Sequence, residues 1–376
     1  MSEEQIWRNT SIENQLYKKA EKNKIPLSGT FELSPVCNFN CKMCYIRMSA
    51  EEMKKHQDEA MTLEKWKEIA DQAKKAGMLY LLLTGGEPFL WPDFWELYDY
   101  LNKLGFVISI NTNGSLIDEN MVARLCENPP SRINITLYGS SEETYERLCG
   151  NRAGYTRTIH AIKALKAAGI LVKLNGSLTP YNADDLEEIV QFAKENDLLL
   201  EATPYMFPPL RKDPDRFGEN DRFTAKQAAY WLIRRIELQK DEETYVKYLK
   251  AMRDNMIDPV ELCGEAENGK MFCRAGRASF WITWNGKMTP CGMLNYPEMN
   301  LAEYDFITAW KRIVHATEQI RISGVCRSCA NNQVCHSCAA VAYTETGTFE
   351  GIPKYMCEMA CEVKKIAIKQ LEIYDE

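Results

Sequence analysis

The sequence CNFNCKMCYIR, residues 37–47, places three cysteines within eight positions and has no fourth cysteine beside them. Three thiolates at this spacing can bind three corners of an iron-sulfur cubane, while the loop between them supplies backbone amides to its sulfides. The fourth iron then stays open to a small molecule. The segment directly follows a predicted strand, GTFELSP, so we expect a cluster loop after the first strand. A buried trio of cysteines, or half of a zinc site, is the alternative.

The composition limits what the rest of the chain can be. Its 376 residues are 45% hydrophobic and 26% charged, which is enough to bury a large core in about two domains. A net charge of -7 gives no overall attraction for nucleic acid or an anionic membrane. The polar, acidic start and the short apolar run MLYLLL predict neither a signal peptide nor a membrane span. We therefore expect a cytoplasmic globular protein.

Cysteines are concentrated at the two ends of the sequence. In a reducing compartment, clustered thiols more often hold metal than form disulfides. With only 4 histidines among 376 residues, zinc sites of mixed ligands are poorly supplied, whereas all-thiolate zinc or iron-sulfur sites remain open. Besides the first three and the isolated Cys126 and Cys149, the cysteines are Cys263, Cys273, Cys291, Cys326, Cys329, Cys335, Cys338, Cys357 and Cys361.

Between residues 29 and about 203, short β-rich runs alternate with amphipathic helical stretches. Six strand–helix units in series predict parallel strands with helices outside, curled into a full or partial barrel. One long helix is predicted over 142–168, with Tyr155, Ile159, Ile162 and Leu165 facing the sheet. The predicted strands are GTFELSP, MLYLLLTGG, FVISINTNG, RINITLYG, ILVKLNGSL and LLLEATP.

The pattern changes after residue 203. A charged, proline-rich connection, PYMFPPLRKDPDRFGEN, leads to a stretch over 224–256 with helical character. From about residue 260 cysteines, glycines and short turns dominate, which is typical of a small fold held by metal. The predicted organisation is an N-terminal extension over 1–28, a core over 29–205, a helical bridge over 206–259 and a cysteine-rich domain over 260–376.

The spacing CxxxCxxC after a first strand resembles the radical S-adenosylmethionine (SAM) superfamily. TGGEP closes the second predicted strand, as does the family's segment that hydrogen-bonds the SAM amino group. Two glycines permit close backbone approach, and a glutamate can receive an ammonium. The resemblance covers roughly residues 30–205 and implies an α/β fold, a partial (β/α)6 TIM-like barrel. It also implies SAM binding by Gly85, Gly86, Glu87 and Pro88.

Weaker SAM-binding candidates stand at later strand ends that resemble those of the family. For most of them, a polar group satisfied locally is an equally open interpretation. Met43 occupies a position where many members carry an aromatic residue, and its polarizable thioether can still cover adenine. The weaker candidates are Asn113 in NTNG, Thr136, Tyr138, Arg147 and Asn175.

The C-terminal third resembles the SPASM domain, which in its family carries two auxiliary [4Fe–4S] clusters. Only two residues separate Cys335 from Cys338, one fewer than in the family, and the first cluster still needs a fourth ligand, which is Cys263 or another group. Zinc at closely spaced pairs is the alternative. The resemblance implies a first cluster on Cys273, Cys291 and Cys338, and a second on Cys326, Cys329, Cys335 and Cys357.

By this resemblance the chain carries three [4Fe–4S] clusters and SAM. The cluster on Cys37, Cys41 and Cys44 would reduce SAM to methionine and a 5'-deoxyadenosyl radical that abstracts hydrogen from a substrate. Paired auxiliary clusters in this family accompany peptide or protein substrates, so the leading prediction is maturation of a ribosomal peptide by crosslinking or epimerisation. The implied partners are that substrate and a flavodoxin- or ferredoxin-type electron donor. About 28 residues before the first strand are too few for the leader-peptide-binding domain that many peptide maturases carry, which weakens the maturase prediction slightly unless a separate leader-binding protein recruits the substrate.

Two alternatives stay open. A sulfatase-maturing enzyme of similar organisation would oxidise a Cys or Ser of a protein to formylglycine. A noncatalytic iron-sulfur electron carrier belongs to another class, and the intact GGEP argues against it because electron transfer needs no site for an amino acid. Cys126, Cys149 and Cys361 are expected to be small hydrophobic residues or spares, and Trp281 and Trp284 to pack in the core.

Overall fold

The structure is a computed structural model that describes residues 12–374 except 56–57, 220, 256–270, 272 and 336. None of the helices in these residues has the length and apolar composition that a membrane span requires. The strands are β1 (Ser28–Glu32), β2 (Tyr80–Thr84), β3 (Val107–Thr112), β4 (Arg132–Thr136), β5 (Val172–Ser177), β6 (Leu199–Thr203), β7 (Ser279–Ile282), β8 (Lys287–Thr289) and β9 (Met299–Asn300).

The helices of the described residues follow the strands in the expected alternation as far as β6. In chain order they are α1 (Ile12–Asn23), α2 (Ala50–Lys55), α3 (Leu63–Lys75), α4 (Phe94–Lys103), α5 (Glu119–Glu127), α6 (Glu142–Cys149), α7 (Gly154–Ala167), α8 (Leu186–Glu195), α9 (Ala225–Gln239), α10 (Glu242–Arg253), α11 (Phe306–Gln319), α12 (Gly324–Arg327), α13 (Asn332–Cys335), α14 (Ala339–Thr346) and α15 (Lys354–Tyr374).

All six predicted strands of the core are present, and their pairings are parallel. β1 pairs with β2, β2 with β3, β4 with β5 and β5 with β6. Local signals set the helix starts: Thr62 caps α3 and Asp118 caps α5, each accepting a hydrogen bond from a backbone amide of the first turn. The predicted parallel α/β fold is confirmed.

Two compact units make up the chain. The first takes its described residues from Met1–Cys37, Met48–Ile110 and Leu262–Ile320, and the second from Asn38–Arg47, Asn111–Glu261 and Arg321–Glu376. In the first unit, β7 joins β1 in parallel, with Thr30 opposite Trp281, and β8 and β9 continue antiparallel. The strands within residues 279–300 therefore extend the same sheet that β1 and β2 begin.

The N-terminal helix α1 is held to the first unit by a charged cluster. Glu21 is buried and lies near the guanidinium groups of Arg274 and Arg277, at 3.7 and 3.4 Å. Arg274 also stacks over the ring of Tyr17, 3.5 Å from its centroid. These contacts fix the segment that follows Cys273 against α1.

The prediction of one helix over 142–168 was wrong. The chain forms α6 and α7 instead, because Gly150 takes a left-handed conformation with φ of +62° and ends α6. Ile162 and Leu165 are fully buried as predicted, but Tyr155 and Ile159 are only half-buried. Thr158 and Ala161 take their places in the buried stripe.

The second unit is built around α15, a helix of 21 residues that the cysteine-rich pattern did not predict. Its apolar stripe, which includes Met356, Ala360 and Val363, packs in one core with residues of α9 and α10. From α9, Arg235 Nη1 and Gln239 Nε2 donate to backbone carbonyls of the edge strand β6, at 2.8 and 3.0 Å. These side chains donate to backbone carbonyl groups of β6 that could otherwise accept hydrogen bonds from another strand.

A buried ion pair joins the connection after β6 to the C-terminal helices. The side chains of Arg222 and Glu345 are 7% and 5% exposed and are 2.5 Å apart between Nη1 and Oε1. The Tyr205 hydroxyl donates to the same carboxylate at 2.7 Å, and the guanidinium lies 3.8 Å from the centroid of the Tyr355 ring. Glu345 belongs to α14 and Tyr355 to α15, so one arginine holds both helices.

Replacing Arg222 with alanine should lower the free energy of unfolding by about 3–5 kcal/mol, because it leaves the Glu345 carboxylate buried without its cation. The measurement is denaturant unfolding of the metal-free protein under reducing conditions. Arg216→Ala is the matched control, since its ion pair with Glu219 is exposed and should contribute less than about 1 kcal/mol. Equal losses in the two variants would contradict the role assigned to the buried pair.

Candidate functional site

In the first unit, the glycines after β2 contact the segment that leads from β1 to Cys37. The amide of Gly86 donates to the carbonyl of Ser34 at 2.7 Å, and that of Glu87 donates to Val36 at 2.9 Å. A Cβ atom on Gly86 would lie 2.5 Å from the carbonyl oxygen of Val36, and one on Gly85 2.5 Å from that of Ser34. Glycine is therefore required at both positions for the backbones to approach.

Two buried carboxylates stand close in sequence to the ends of β1 and β2. Glu32 and Glu87 are both 0% exposed. The indole Nε1 of Trp281 donates to Glu32 at 2.8 Å, and the amide of Phe89 donates to Glu87 at 3.3 Å, where Pro88 opens a short turn. The first unit therefore has one buried acidic group at the end of β1 and another shortly after β2, and each accepts a hydrogen bond from a protein donor.

In the second unit, the rest of the cysteine loop is fastened to the end of α6. The amides of Asn40 and Lys42 donate to the carbonyls of Cys149 and Leu148, at 2.7 and 3.1 Å. These carbonyls belong to the last turn of the helix, where no intrahelical partner is available. The aromatic ring of Phe39 packs edge-on against Tyr145 at 6.0 Å. Contacts within the protein therefore anchor this part of the loop to α6.

The two cysteines of this part of the loop have different environments. A hydrogen bond with the Cys149 thiol is the largest influence on Cys41 and lowers its pKa. Burial raises the pKa of Cys44. The Cys44 amide donates to the Cys41 carbonyl at 3.0 Å, and the Arg47 amide donates to the Cys44 sulfur at 3.3 Å. Met43 lies half-buried between them.

An amide network ties the cysteine loop to the end of β3. The side-chain amide of Asn113 donates to Asn38 Oδ1 at 2.9 Å, and that of Asn38 donates to the Ser115 hydroxyl at 2.9 Å. Ser115 closes the ring by donating from its hydroxyl to Asn113 Oδ1 at 2.7 Å. Asn113, one of the predicted SAM-binding residues, therefore contacts the loop through its side-chain amide.

Thr136 and Asn175 are register partners on β4 and β5, so their side chains lie on the same face of the sheet. Asn134 shares this face two residues earlier, and its side-chain amide donates to Asn111 at 2.7 Å. Arg147 instead donates to the Tyr181 carbonyl at 2.8 Å. The structure therefore brings Thr136 and Asn175 together, and gives Arg147 a protein partner.

Tyr138, the remaining weak candidate, packs its ring against that of Phe39 in the cysteine loop, with centroids 5.9 Å apart. Its own amide donates to the Tyr145 hydroxyl at 3.3 Å. The rings of Tyr138 and Tyr145 thus both pack against the ring of Phe39. Asn38, Ser115 and Cys149, which sequence reasoning did not select, complete the support of the loop; the position of Asn38 between two cysteines was the available signal.

One predicted group of thiols lies wholly within the second unit. The pKa of Cys335 is raised to about 11, mainly by burial and in smaller part by the charges of Cys357, Cys326 and Cys329. The pKa of Cys357 is likewise raised by burial and then by Cys326 and Cys329. Because charge acts at short range in a protein, these four thiols lie near one another. They are the four that the resemblance assigns to the second auxiliary cluster.

The other auxiliary group is only partly described. Cys273 and Cys291 are half-buried in the first unit, and Cys338 stands at the start of α14 in the second. The amide of Met293 donates to the Cys291 sulfur at 3.4 Å. Cys263, the predicted fourth ligand, lies outside the described residues. The ligand set of this group stays a prediction.

The donor chemistry fits iron-sulfur clusters. Among the described residues, no three cysteine, histidine or acidic side chains surround a single-ion position. A cubane, however, takes each thiolate on a separate iron and is tuned by hydrogen bonds to sulfur. Each predicted group already has such a bond: Arg47 to Cys44, Met293 to Cys291, and Asn331 to Cys329 at 3.4 Å.

Comparisons with known proteins agree with this fold and site. Residues 31–193 match the family model of the radical SAM superfamily, so the chain contains a radical SAM domain. AdoMet-dependent heme synthase of Methanosarcina barkeri is 25% identical, with 85% of this chain and 93% of the relative covered. Mycofactocin maturase MftC of Mycobacterium ulcerans is 23% identical over 87% of this chain and 85% of its own.

A solved structure extends the comparison to the fold of nearly the whole chain. Streptococcus suis SuiB bound to precursor peptide SuiA superposes with a TM-score of 0.65 at 20% identity, covering 92% of this chain and 80% of that chain. At this identity the likeness concerns the fold. The radical SAM resemblance drawn from the cysteine loop and GGEP is confirmed by the family match.

Asn38→Ala and Asn113→Ala should each lower the free energy of unfolding of the metal-free protein by about 1–3 kcal/mol, because each leaves a buried amide partner unsatisfied. The double variant should cost less than the sum of the two single changes, since both single changes remove the bond between the two asparagines. Denaturant unfolding measures all three. Asn151→Ala, which removes only a 3.4 Å bond to the Asn38 carbonyl, is the control and should cost less. Strictly additive losses would show that the two asparagines act independently.

Proposed function

We propose that this protein is a radical SAM enzyme that modifies a peptide or protein, and that its reaction is the maturation of a ribosomally made peptide by crosslinking or epimerisation. The observation that carries the proposal is the contact between GGEP and the segment before Cys37. The amides of Gly86 and Glu87 bond to the carbonyls of Ser34 and Val36, inside a matched radical SAM domain. An electron carrier would have no need to join an amino-acid-binding turn to a cluster loop.

We assign the SAM-binding cluster to Cys37, Cys41 and Cys44. When bound, this cluster supplies an electron that cleaves SAM to methionine and a 5'-deoxyadenosyl radical, which takes a hydrogen atom from the substrate. The buried carboxylates Glu32 and Glu87 give their unit the negative charge that suits the cationic amino group and sulfonium of SAM. We also assign SAM contacts to Gly85, Pro88, Asn113, Thr136, Arg147 and Asn175, with Met43 against adenine.

For the C-terminal region we propose a SPASM domain over 260–376 with two auxiliary [4Fe–4S] clusters. The first would use Cys273, Cys291, Cys338 and Cys263, and the second Cys326, Cys329, Cys335 and Cys357. The amide-to-sulfur bonds at Cys291 and Cys329 support thiolate ligation in both groups. Residues 206–259 would form a helical bridge from the core over 29–205 to this domain, and residues 1–28 an N-terminal extension before the core.

The peptide substrate is supported by two of the similar proteins. One relative is named a mycofactocin maturase, and SuiB was solved with its precursor peptide SuiA. We further propose a flavodoxin- or ferredoxin-type protein as the electron donor, a separate protein that presents the leader peptide, and a cytoplasmic location. A reducing compartment keeps clustered thiols available for iron.

Replacing Cys37, Cys41 and Cys44 together with alanine should abolish 5'-deoxyadenosine formation from SAM and dithionite. The iron content of the anaerobically reconstituted protein should fall from about twelve to about eight per chain, because one of three [4Fe–4S] clusters is lost. Chromatography of the nucleoside and an iron assay provide the two measurements. Cys126→Ala is the control and should change neither. Continued 5'-deoxyadenosine formation in the triple variant would exclude this loop as the radical centre.

The substrate class can be tested by supplying SAM, reductant and candidate peptides, with peptide mass and 5'-deoxyadenosine followed together. A small genetically linked precursor peptide should stimulate SAM cleavage and either lose two hydrogens in a crosslink or gain deuterium at an α-carbon in heavy water. Formylglycine on a sulfatase peptide, with no response to the precursor, would replace the proposal by the sulfatase-maturing alternative. A response only to a heme precursor would exclude a peptide substrate and favour the activity named for the Methanosarcina relative.

A further inference from the structure

A fifth cysteine accompanies the four thiols of the second auxiliary group. Cys361 follows Cys357 by four residues on α15, and both thiols are exposed. Residues four apart on an α-helix share a face and differ in height by about 6 Å. The sequence analysis predicts no ligand role for Cys361, since the SPASM resemblance has no position for it.

Asn331 connects Cys361 to the predicted ligands. Its backbone amide donates to the Cys329 sulfur at 3.4 Å, while its side-chain amide donates to the Cys361 sulfur at 3.5 Å. Lys364, one turn after Cys361, fixes the asparagine by donating from Nζ to its Oδ1 at 3.1 Å. One asparagine therefore contacts the sulfur of an assigned ligand and the sulfur of the unassigned cysteine.

The packing of α15 leaves the thiols of both Cys357 and Cys361 exposed. Met356 and Ala360, the residues directly before them, are buried in the core of the second unit. The helix is thus anchored by one stripe while Cys357 and Cys361 both remain on its exposed side. Neither thiol needs the helix to unpack before it can bind an iron.

We propose that Cys361 is an alternative ligand of the second auxiliary cluster and can take the iron that the family resemblance assigns to Cys357. A cubane has four irons, and here five thiols from three neighbouring segments are available to it. The exchange balances: the arriving thiol releases its proton as it binds, and the departing thiolate takes one up. The inference rests on the second auxiliary cluster of the proposed function.

Iron content tests the exchange in the full-length, anaerobically reconstituted protein. Cys357→Ala and Cys361→Ala should each retain about twelve irons per chain, whereas the double variant should fall to about eight, as expected for loss of one [4Fe–4S] cluster. Cys126→Ala, an exposed cysteine elsewhere in the second unit, is the matched control and should keep the full content. Unfolding of the metal-free variants shows whether each still folds.

Thiol mapping gives a second readout that does not depend on activity. Under native, anaerobic conditions iodoacetamide should label Cys361 in the wild-type protein and leave it unlabelled in Cys357→Ala, where it has become a ligand. After the iron is removed with a chelator, Cys361 should be labelled in both proteins. Cys357→Ser repeats the measurement should the alanine variant fold poorly.

The iron contents of the variants distinguish failure of the ligand exchange from failure of the auxiliary-cluster assignment. Loss of about four irons in Cys357→Ala, with a full wild-type content, would overturn the exchange alone and leave the two-cluster assignment intact. Loss in Cys361→Ala with retention in Cys357→Ala would make Cys361 the sole resident ligand and also overturn the exchange. A wild-type content near four irons would overturn both the auxiliary clusters and the inference that depends on them.

Discussion

Two backbone hydrogen bonds, from Gly86 to Ser34 and from Glu87 to Val36, are the constraint on which the candidate site depends. They are possible only because neither residue 85 nor residue 86 carries a Cβ atom, which would meet carbonyl oxygens at 2.5 Å. In the first unit, the turn after β2 therefore fixes the path of the chain from the end of β1 to Cys37. Both glycines are therefore committed to the protein's own backbone, and neither position has room for a side chain.

In the second unit, side-chain contacts help to hold the irregular segments in place. The cysteine loop meets the free carbonyls at the end of α6 and the amide ring of Asn38, Asn113 and Ser115, so its polar groups are satisfied without a regular element. Farther along the chain, Arg222 and Glu345 hold α14 and α15 through a buried charge pair. These polar networks are costly to leave incomplete, which gives irregular segments a single defined conformation.

Much of the architecture could be predicted because the signals are local. Strand–helix alternation and the cysteine spacing both act over a few residues, and from them the parallel α/β fold and the radical SAM resemblance were predicted. The break at Gly150 was missed because helical periodicity continues across it in sequence. Helix α15 was not predicted because cysteines, glycines and turns dominate the sequence after residue 260, whereas its apolar stripe, which includes Met356, Ala360 and Val363, is buried only by packing in the second unit.

The supports of the site could not be read from sequence for a different reason. Asn38 and Asn113 are 75 residues apart, and nothing local distinguishes an asparagine that bonds to the other from one that faces solvent. The same holds for Cys149, which is isolated in the sequence but forms a hydrogen bond with Cys41 in the structure. Such pairs depend on how the loop meets β3 and α6, which is a property of the folded unit.

The strands of the second unit carry one clue that the sequence did contain. Parallel strands are usually apolar on both faces because helices cover them, yet β4 and β5 alternate strictly. Ile133, Ile135 and Leu174 are fully buried on one face, while Asn134, Thr136 and Asn175 occupy the other. Side chains that can donate and accept hydrogen bonds are poor material for a core that holds nothing else. Their alternation suits a sheet face that surrounds a polar ligand, which is the setting that the proposed SAM contacts of Thr136 and Asn175 require.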